Sequence, residues 1–271
     1  MTNSFTLNNQ QIKQIFDLVI EAGEIAIRGF YAKDYQTKIK KDNSKVTSID
    51  LEISEFITSG LNKILPNIEV ISEEGQKINN SHSRFFLVDP IDGTSSFING
   101  GNEFSINIAL IDNCQAIFGM IYAPLFQGGR MVFCDEKKQV WLYQNDLNVE
   151  QIIKRNSSKP DQVRLISSRG ADEYKIEEFM NKNLSDHQNF KIEKYSSAIK
   201  FIIILTNQAD LYLHLKKSME WDTAAGQALV EMLGGQMQVI DLNRIDCQIL
   251  DNLSYGKKDF LNPCFLVSFL K

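Results

Sequence analysis

The segment D-P-I-D-G-T, residues 89–94, constrains the fold of this chain more than any other stretch. An apolar run before it predicts a buried strand that delivers Asp89, and Pro90 predicts the end of that strand because proline cannot donate to the ladder. The chain then turns, which brings Asp92 back toward the same point with the Ile91 carbonyl between the two acids. Two carboxylates and a carbonyl form a hard-oxygen site that suits Mg²⁺.

The residues that follow the two acids are suited to holding a phosphate group. Gly93 lets the backbone approach a ligand closely, and a short helix that starts here would offer free N–H groups to phosphate oxygens. The Thr94 hydroxyl can hydrogen-bond a water molecule. Carboxylates for metal ions beside amides for phosphate are what metal-assisted phosphate hydrolysis requires, so the segment predicts that class of chemistry.

Two further acidic clusters can complete such a site. Glu73 and Glu74 close the preceding short strand, and Asp222 opens a helix in the segment W-D-T-A-A-G, residues 221–226. Asp222 is there either a partner of the helix dipole or a metal ligand, and the two glutamates alone are equally compatible with a solvated pair. The small residues after Asp222 permit close approach of a backbone or a ligand.

The first half of the chain predicts an α+β lobe, which we place at residues 1–150. Apolar residues at three- and four-residue spacing predict a helix over 9–30, and Thr47 with Asp50 has the spacing of a capping box at the start of a second helix. The polar stretch between them, 33–45, is typical of a solvated loop. Paired apolar runs separated by turn residues then predict antiparallel hairpins.

The second half predicts an α/β lobe, residues 151–271. A polar stretch over 144–161 marks the boundary, and beyond it strands alternate with helices. This alternation predicts a largely parallel or mixed sheet that is covered by helices. Among the helices we expect a buried one over 197–207 and one over 222–233 that ends at a Gly-Gly pair.

Size, charge and cysteine usage exclude several other classes of protein. At 271 residues the chain fits one large domain or two small lobes, and a net charge of −5 argues against a general nucleic-acid binder. Four cysteines without C-x-x-C spacing predict reduced thiols rather than disulfides or a zinc site: Cys114, Cys134, Cys247 and Cys264. The polar N-terminus predicts no signal peptide, and the longest strongly apolar run is too short for a transmembrane span, so we expect a soluble, cytoplasmic protein.

The acidic segments together resemble the signatures of the inositol monophosphatase superfamily of metal-dependent, lithium-sensitive phosphatases. Those signatures are an acidic pair after a strand, D-P-[IL]-D-G-T and W-D-x-[AT]-A-G, and all three occur here in order. Within the superfamily the chain looks most like the CysQ-type 3′(2′),5′-bisphosphate nucleotidases, in the stretches 101–111, 119–124, 197–201, 219–226 and 260–263. The resemblance implies a layered αβαβα sandwich of the sugar-phosphatase type.

The resemblance also implies a role for single residues of these motifs. The family's metal ligands match five positions of this chain: Glu73, Asp89, Ile91 through its carbonyl, Asp92 and Asp222. Two or three Mg²⁺ ions are implied there, with Li⁺ as an inhibitor. The implied catalytic residues, of which Thr94 with one of the acids would orient the attacking water, are Glu73, Thr94 and Asp50. The implied substrate contacts are Glu73, Ile91, Asp92, Gly93, Thr94, Ser197, Lys200 and Asp222.

The activity that the resemblance implies is Mg²⁺-dependent hydrolysis of the 3′-phosphate of adenosine 3′,5′-bisphosphate to AMP and phosphate, with 3′-phosphoadenylyl sulfate as a further substrate of some members. Two alternatives stay open. One is an inositol monophosphatase or a fructose-1,6-bisphosphatase-like sugar phosphatase, and the other is a non-catalytic nucleotide-binding protein on the same scaffold. A monomer and a homodimer are both compatible with the sequence, as is peripheral association with the cytoplasmic face of the inner membrane.

The chain departs from the nucleotidase pattern at a few positions. Ser95-Ser96 stand where the family has Lys-Glu, Gly170 replaces the last residue of S-R-S-H, and His214 replaces the last residue of L-Y-P-R. The two later changes fall at positions that we associate with the nucleotide. Basic residues that can compensate for them are Arg169, Lys200, Lys216 and Lys217.

Overall fold

The structure, a computed structural model, describes residues 5–40, 43–75, 82–144, 148–153, 160–184, 189–242 and 249–270. The helices in these ranges are α1 (Asn9–Ala32), α2 (Ser48–Ile64), α3 (Thr94–Ile98), α4 (Glu173–Asn183), α5 (Ile199–Leu205) and α6 (Ala224–Met232). The strands of the first half are β1 (Thr37–Ile39), β2 (Lys45–Thr47), β3 (Glu69–Ser72), β4 (Arg84–Asp92), β5 (Ser105–Asp112), β6 (Gln115–Ala123), β7 (Arg130–Cys134), β8 (Val140–Gln144) and β9 (Asn148–Ile152). The strands of the second half are β10 (Val163–Ser168), β11 (Phe190–Tyr195), β12 (Leu211–His214), β13 (Ser218–Met219), β14 (Gln236–Ile240), β15 (Ile249–Asn252), β16 (Leu261–Asn262) and β17 (Cys264–Ser268).

The first half of the chain forms a seven-stranded sheet in the order β3-β4-β5-β6-β7-β8-β9. Strands β3 and β4 are parallel, and every later neighbour is antiparallel. The hairpins predicted from turn residues are confirmed as β5–β6 and β7–β8. Short hairpin connections of this kind keep consecutive strands adjacent, so the sheet follows the order of the sequence.

The second half forms a six-stranded sheet in the order β11-β10-β12-β17-β14-β15. Strand β10 is parallel to β11 and β12, whereas the remaining pairs are antiparallel, so the predicted mixed sheet is confirmed. The two small pairs β1–β2 and β13–β16 lie outside the large sheets. The division into lobes at residues 1–150 and 151–271 stays a prediction.

Helices and sheets alternate to form five layers. On strand β6, Tyr122 faces α1 at Gly23, whereas Gly119 on the opposite face contacts α6 at Ala225. Helices α5 and α6 lie between the two sheets, and α6 packs on β6 and on β14. Helix α4 packs on the far side of the six-stranded sheet through a separate apolar cluster. The predicted αβαβα sandwich is therefore confirmed.

Strand β4 corrects the prediction that Pro90 ends its strand. Asp89 pairs with Asn107, and Asp92 pairs with Ser105, so β4 holds one residue more than β5 between these two pairs. This β-bulge leaves an unpaired position in the ladder, where the missing N–H of proline costs no hydrogen bond. The strand therefore continues through Pro90 to Asp92.

Other boundaries also differ from the predictions. The stretch 33–45 is not wholly a loop, because residues Thr37–Ile39 pair with Lys45–Thr47. The helix expected over 222–233 begins at Ala224, after a 3₁₀ turn at Glu220–Asp222. The buried helix expected over 197–207 covers only the residues of α5. Three-residue strands and single turns are too short to produce a periodic sequence pattern, which explains these misses.

The capping box predicted for α2 is confirmed in the structure. The Thr47 side chain accepts from the backbone N–H of Asp50, and the Asp50 carboxylate accepts from the N–H of Thr47. Helix α1 has a capping box as well, between Asn8 and Gln11, which sequence analysis did not identify.

Two observations concern cysteines and membrane spans. Cys114, Cys134 and Cys264 are free thiols, as predicted, and Cys247 lies outside the described residues. Within the part of the chain that the structure describes, no helix combines the length and the apolar character that crossing a membrane requires.

Candidate active site

Three carboxylates from the two halves of the chain meet in one cluster. Asp89 and Asp92 lie at the bulged end of β4, and Asp222 lies in the 3₁₀ turn before α6. One oxygen from each carboxylate lies within 4.8 Å of the other two. In a regular strand, residues three apart face opposite sides, so the extra residue of the bulge is what lets Asp89 and Asp92 serve the same site.

These acids raise one another's pKa. Burial raises the pKa of Asp89 well above its usual value, and the charges of Glu73, Asp92 and Asp222 raise it further. Burial also raises the pKa of Asp92 to about 6, although the Lys200 ammonium opposes the shift. The pKa of Asp222 is raised by burial and by Asp92. The cluster therefore concentrates more negative charge than the surrounding protein neutralises.

The hydrogen bonds of the cluster are incomplete. Asp89 Oδ1 is buried and receives no hydrogen bond from the described residues. Asp92 Oδ2 accepts from Asn107 Nδ2 at 3.4 Å, and Asp222 Oδ2 accepts from the N–H of Met219 at 2.8 Å. A buried carboxylate without sufficient partners is costly unless a cation neutralises it. The oxygen donors present thus fit a hard divalent cation such as Mg²⁺.

Glu73 lies beside the cluster but is paired with a lysine. Lys40 Nζ lies 2.6 Å from Glu73 Oε1 and 2.5 Å from Glu74 Oε1. Burial raises the pKa of Glu74 to about 7, against the hydrogen bond from Lys40. Sequence analysis missed Lys40, because its sequence context does not distinguish it from the other lysines of the same polar stretch.

Thr94 and Asp50 form one hydrogen-bonded unit next to the acids. Thr94 Oγ1 lies 3.0 Å from Asp50 Oδ1 and 3.0 Å from the Ile91 carbonyl oxygen, and its one proton can be donated to either. The Ile91 side chain itself is buried in the core. Asp50 Oδ2 accepts from the N–H of Thr47 at 3.0 Å and from its hydroxyl at 2.5 Å. Burial raises the pKa of Asp50, although its hydrogen bonds to Thr47 and Thr94 oppose the shift. The capping box of α2 thus fixes the acid that orients Thr94.

Gly93 occupies a position that other residues would fill only with strain. Its φ is +91°, and an added Cβ would lie 2.7 Å from the Glu103 carbonyl oxygen and 3.1 Å from Ser197 Cβ. Gly93 is also the N-cap residue of α3, which begins at Thr94. The glycine therefore lets the start of α3 lie against both halves of the chain.

Ser197 and Lys200 approach the acids from the second half. Lys200 Nζ donates to the Ser197 carbonyl at 2.5 Å and to the Tyr195 carbonyl at 3.4 Å. Burial lowers the pKa of Lys200 to about 8, although the charges of Asp92 and Asp222 oppose that shift. A largely charged, buried ammonium thus faces the carboxylates.

The departures at Gly170 and His214 lie at neighbouring strand ends, because β10 pairs with β12. His214 Nδ1 lies 3.1 Å from Ser168 Oγ, and its ring stacks on Phe265 at 4.9 Å. Burial lowers the pKa of His214 to about 3, so the imidazole is neutral at pH 7. Lys216, which sequence analysis offered as a compensating cation, donates to the Gly170 carbonyl at 3.0 Å.

Arg169, another compensating cation, instead pairs with Glu103, which sequence analysis missed. Arg169 Nε donates to Glu103 Oε2 at 2.8 Å, and Arg169 Nη2 donates to Glu103 Oε1. The N–H of Ser196 also donates to Glu103 Oε2 at 2.8 Å. Burial raises the pKa of Glu103, but the bonds from Arg169 and Ser196 outweigh burial and lower it overall. The ion pair joins the segment before β5 to the loop that follows β10, and the bond from Ser196 joins it to the loop that follows β11.

Comparison with known proteins gives matches of one kind over nearly the whole chain. The profile of the "Inositol monophosphatase family" matches residues 8–262. The 3′(2′),5′-bisphosphate nucleotidase CysQ of Shigella flexneri is 32% identical over 262 residues, which cover 95% of this chain and 99% of that protein. The protein of the same name from Escherichia coli K12 is 31% identical over the same shares of both chains.

Solved structures agree with these sequence relatives. The crystal structure of CysQ from Bacteroides thetaiotaomicron, a bacterial member of the inositol monophosphatase family, has a TM-score of 0.75 and 27% identity, with 94% of this chain and 96% of that chain covered. An IMPase from Thermotoga maritima has a TM-score of 0.69 and 21% identity, with 93% and 89% covered, and supports the fold alone.

Proposed function

Because this chain belongs to the inositol monophosphatase family, we propose that it is a Mg²⁺-dependent phosphatase that hydrolyses the 3′-phosphate of adenosine 3′,5′-bisphosphate to AMP and inorganic phosphate. The observation that carries the chemistry is the cluster of Asp89, Asp92 and Asp222, with its unpartnered Asp89 oxygen. The choice of a nucleotide substrate is supported by full-length similarity to the bisphosphate nucleotidase relatives. On the same basis, 3′-phosphoadenylyl sulfate is a further candidate substrate.

The three clustered aspartates would hold Mg²⁺, together with Glu73 and the Ile91 carbonyl. Bound Mg²⁺ neutralises phosphate charge and makes a water molecule more acidic. We propose two or three ions per site and inhibition by Li⁺. Glu73 would bind the metal through Oε2, or through Oε1 once Lys40 leaves, because Oε1 is bonded to Lys40 in the structure.

Thr94 and Asp50 would position the attacking water. The Thr94 hydroxyl carries one proton, which it donates to the Asp50 carboxylate or the Ile91 carbonyl, and its lone pairs can then accept from water. Asp50 is fixed by Thr47, so it holds the hydroxyl in one orientation. The amides at Gly93 and Thr94 would bind the scissile phosphate, because Gly93 leaves the start of α3 open to close approach.

Ser197 and Lys200 would contact the nucleotide. Lys200 is a buried cation beside the acids, and cations of this kind favour a second anionic group of the substrate. His214 contributes no positive charge at pH 7, so recognition at this end would depend on Lys200 and on the polar groups around it. We further propose a cytoplasmic location and no nucleic-acid partner, while the alternatives of monomer or homodimer and of peripheral membrane association stay predictions.

The experiment that tests this function measures phosphate release with and without Mg²⁺. Substrates at equal concentration are adenosine 3′,5′-bisphosphate, 3′-phosphoadenylyl sulfate, inositol 1-phosphate and fructose 1,6-bisphosphate. We expect Mg²⁺-dependent turnover that favours the nucleotides, and a loss of about 100-fold or more in Asp92→Asn, since metal binding supplies several kcal/mol of transition-state stabilisation. Preference for a sugar phosphate would assign the chain to a sister activity, and nucleotide binding without phosphate release would indicate a non-catalytic protein.

A further inference from the structure

Glu220 is a fully buried carboxylate two residues before Asp222. Its Oε2 accepts from the N–H of Gly256 at 2.7 Å, and its Oε1 accepts from the N–H of Lys257 at 3.0 Å. Lys257 Nζ lies 2.6 Å from the same Oε1. These donors satisfy the buried charge, and they all belong to one short segment that lies far from Glu220 in the sequence.

The backbone around Glu220 is bound to the same region. The N–H of Glu220 donates to the Phe260 carbonyl at 2.8 Å, and β13 pairs with β16, with Met219 opposite Leu261. The Glu220 carbonyl in turn accepts from the N–H of Thr223 at 3.2 Å. At the end of the turn, Asn262 Nδ2 donates to Thr223 Oγ1 at 2.6 Å. Residues 256–262 therefore hold both ends of the turn that contains Asp222.

The position of the Asp222 carboxylate depends on this turn. Asp222 Oδ2 accepts from the N–H of Met219, so the side chain is oriented by the residue that precedes Glu220. A single 3₁₀ turn has few hydrogen bonds of its own, and its geometry is set by what holds it from outside. In the structure, the side chain that ties the turn to the 256–257 segment is Glu220.

We propose that Glu220 is a positioning residue for the metal centre: through Gly256 and Lys257 it fixes the turn that presents Asp222 to Asp89 and Asp92, and it thereby sets the affinity for Mg²⁺. The inference rests on the proposed function, because it takes the three aspartates as the Mg²⁺ ligands. Glu220 itself touches neither metal nor substrate, so its effect appears in metal binding before it appears in catalysis.

The test titrates the metal-free full-length chain with Mg²⁺ alone by isothermal titration calorimetry. In Glu220→Gln the side-chain shape is kept, but an NH₂ group replaces one acceptor and faces the donors of the 256–257 segment. We expect the Kd for Mg²⁺ to rise about 10-fold or more, as for other residues that orient a metal ligand. Turnover at saturating Mg²⁺ should return toward the wild-type value, and the KM for nucleotide should not change.

A second pair of variants keeps the test decisive if Glu220→Gln fails to fold. Lys257→Met removes the ammonium partner of Glu220 and keeps the backbone donors, so the Kd should rise in the same direction by a smaller factor. Lys258→Met is the matched control, because Lys258 is the next residue and its side chain is exposed; its Kd should equal that of the wild type.

Wild-type Kd values in both Glu220→Gln and Lys257→Met, with only a lower Tm, would overturn the inference and leave Glu220 a structural residue. A wild-type protein that binds no Mg²⁺ would instead overturn the proposed function, and the inference with it. A raised Kd in Lys257→Met but not in Lys258→Met supports the inference even if Glu220→Gln does not fold.

Discussion

Asp89 is a buried carboxylate with an oxygen that lacks a hydrogen-bond partner in the part of the chain that the structure describes. Its side chain is 1% exposed, and its Oδ1 receives no hydrogen bond from the described residues. Such a group raises the free energy of the metal-free fold, because the carboxyl is either a buried charge without a partner or must take up a proton that it does not hold in the unfolded chain at neutral pH. The same group is a proposed ligand of Mg²⁺, for which an unpartnered carboxylate oxygen is a suitable donor. The carboxylate at position 89 therefore lowers the stability of the metal-free protein and is at the same time needed for the proposed metal-dependent activity.

Replacing Asp89 with Asn should separate these two effects. We expect Asp89→Asn to abolish Mg²⁺-dependent turnover and yet to raise the metal-free Tm, by about 2–4 °C for each kcal/mol of repulsion that is removed. Thermal unfolding in a chelator checks the second effect, and phosphate release checks the first. Asp161→Asn, at an exposed aspartate, is the control and should change neither. A metal-free Tm below that of the wild type would contradict the idea that Asp89 is strained by its neighbours.

The raised pKa of Asp92 gives a pH dependence with a definite sign. Its pKa is about 6 in the folded, metal-free chain and close to 4 in the unfolded chain, so the folded state holds this proton more tightly. The stability contributed by the protonated carboxyl is complete below about pH 4 and is lost as the pH rises through about 6. In chelator, the Tm of the wild type should therefore fall relative to that of Asp92→Asn between about pH 4 and pH 7. A Tm difference that is constant across this range would contradict the raised pKa.

The role of some site residues could be predicted from the sequence, and the role of others could not. The cluster of Asp89, Asp92 and Asp222 could be expected from motifs, because each acid lies in a distinctive local pattern. Lys40 and Glu103 could not, because their partners come from distant segments and a lone charged residue carries no sign of its partner. Tertiary contacts alone give these residues their roles.

At the scale of elements, strand β4 and helix α6 set the geometry of the site. Helix α6 begins two residues after Asp222 and lies on β6. An added Cβ on Gly119 of β6 would come within 2.2 Å of the Ala225 carbonyl oxygen. The absence of a side chain at this point thus determines how closely α6 approaches the sheet that carries Asp89 and Asp92. A shift of α6 at this contact would therefore also shift Asp222, a proposed metal ligand, relative to Asp89 and Asp92.

Gly119→Ala should consequently impair both stability and metal binding. The methyl group meets backbone, which cannot rotate away, so we expect a loss of about 1–3 kcal/mol in the free energy of unfolding and a weaker affinity for Mg²⁺. Urea unfolding and calorimetric titration measure the two effects. Gly170→Ala is the control for stability, because its added Cβ would meet only Lys216 Nζ at 3.5 Å. Equal stability of the two variants would show that α6 can shift at little cost.

Elements with long periodic patterns were predicted well, and irregular ones were not. Helix α1 and the β5–β6 hairpin follow from apolar spacing and turn residues, which are local signals. The bulge at Pro90 does not, because proline equally signals the end of a strand, and only the pairing with β5 decides between the two. The 3₁₀ turn at Glu220–Asp222 does not follow either, because a single turn is too short for a periodic pattern, and the helix predicted over 222–233 therefore includes Asp222.

At the scale of the whole molecule, the three acids come from both halves of the chain, so the geometry of the site depends on how the halves are joined. Among the ion pairs of the described residues, Glu103–Arg169 is the one that joins the two halves of the chain. Glu103 also binds the N–H of Ser196, next to Ser197. The pair therefore sets where the second half presents Ser197 and Lys200 to the acids.

Arg169→Met should weaken substrate binding without affecting the metal. We expect the KM for the nucleotide to rise about 3- to 10-fold, as for the loss of a positioning hydrogen bond, while the Kd for Mg²⁺ stays unchanged. Steady-state kinetics and calorimetry give the two values. Arg164→Met is the matched control, since Arg164 on β10 forms a comparable bidentate pair with Asp210, which precedes β12 in the same half of the chain. If both variants raised the KM equally, general loosening would explain the effect instead.

Asp222 lies in the second half of the chain, so the ribosome adds it long after Asp89 and Asp92. The seven-stranded sheet can pair while the remainder is still on the ribosome, because chains fold from the N-terminal part as they emerge. At that stage Asp89 and Asp92 are in place, but the third acid and the turn that carries it have not been made. A polypeptide that ends before Asp222 would therefore lack one of the three proposed cation ligands. Under the proposed function, binding of the ion would thus follow the synthesis and folding of the turn that carries Asp222.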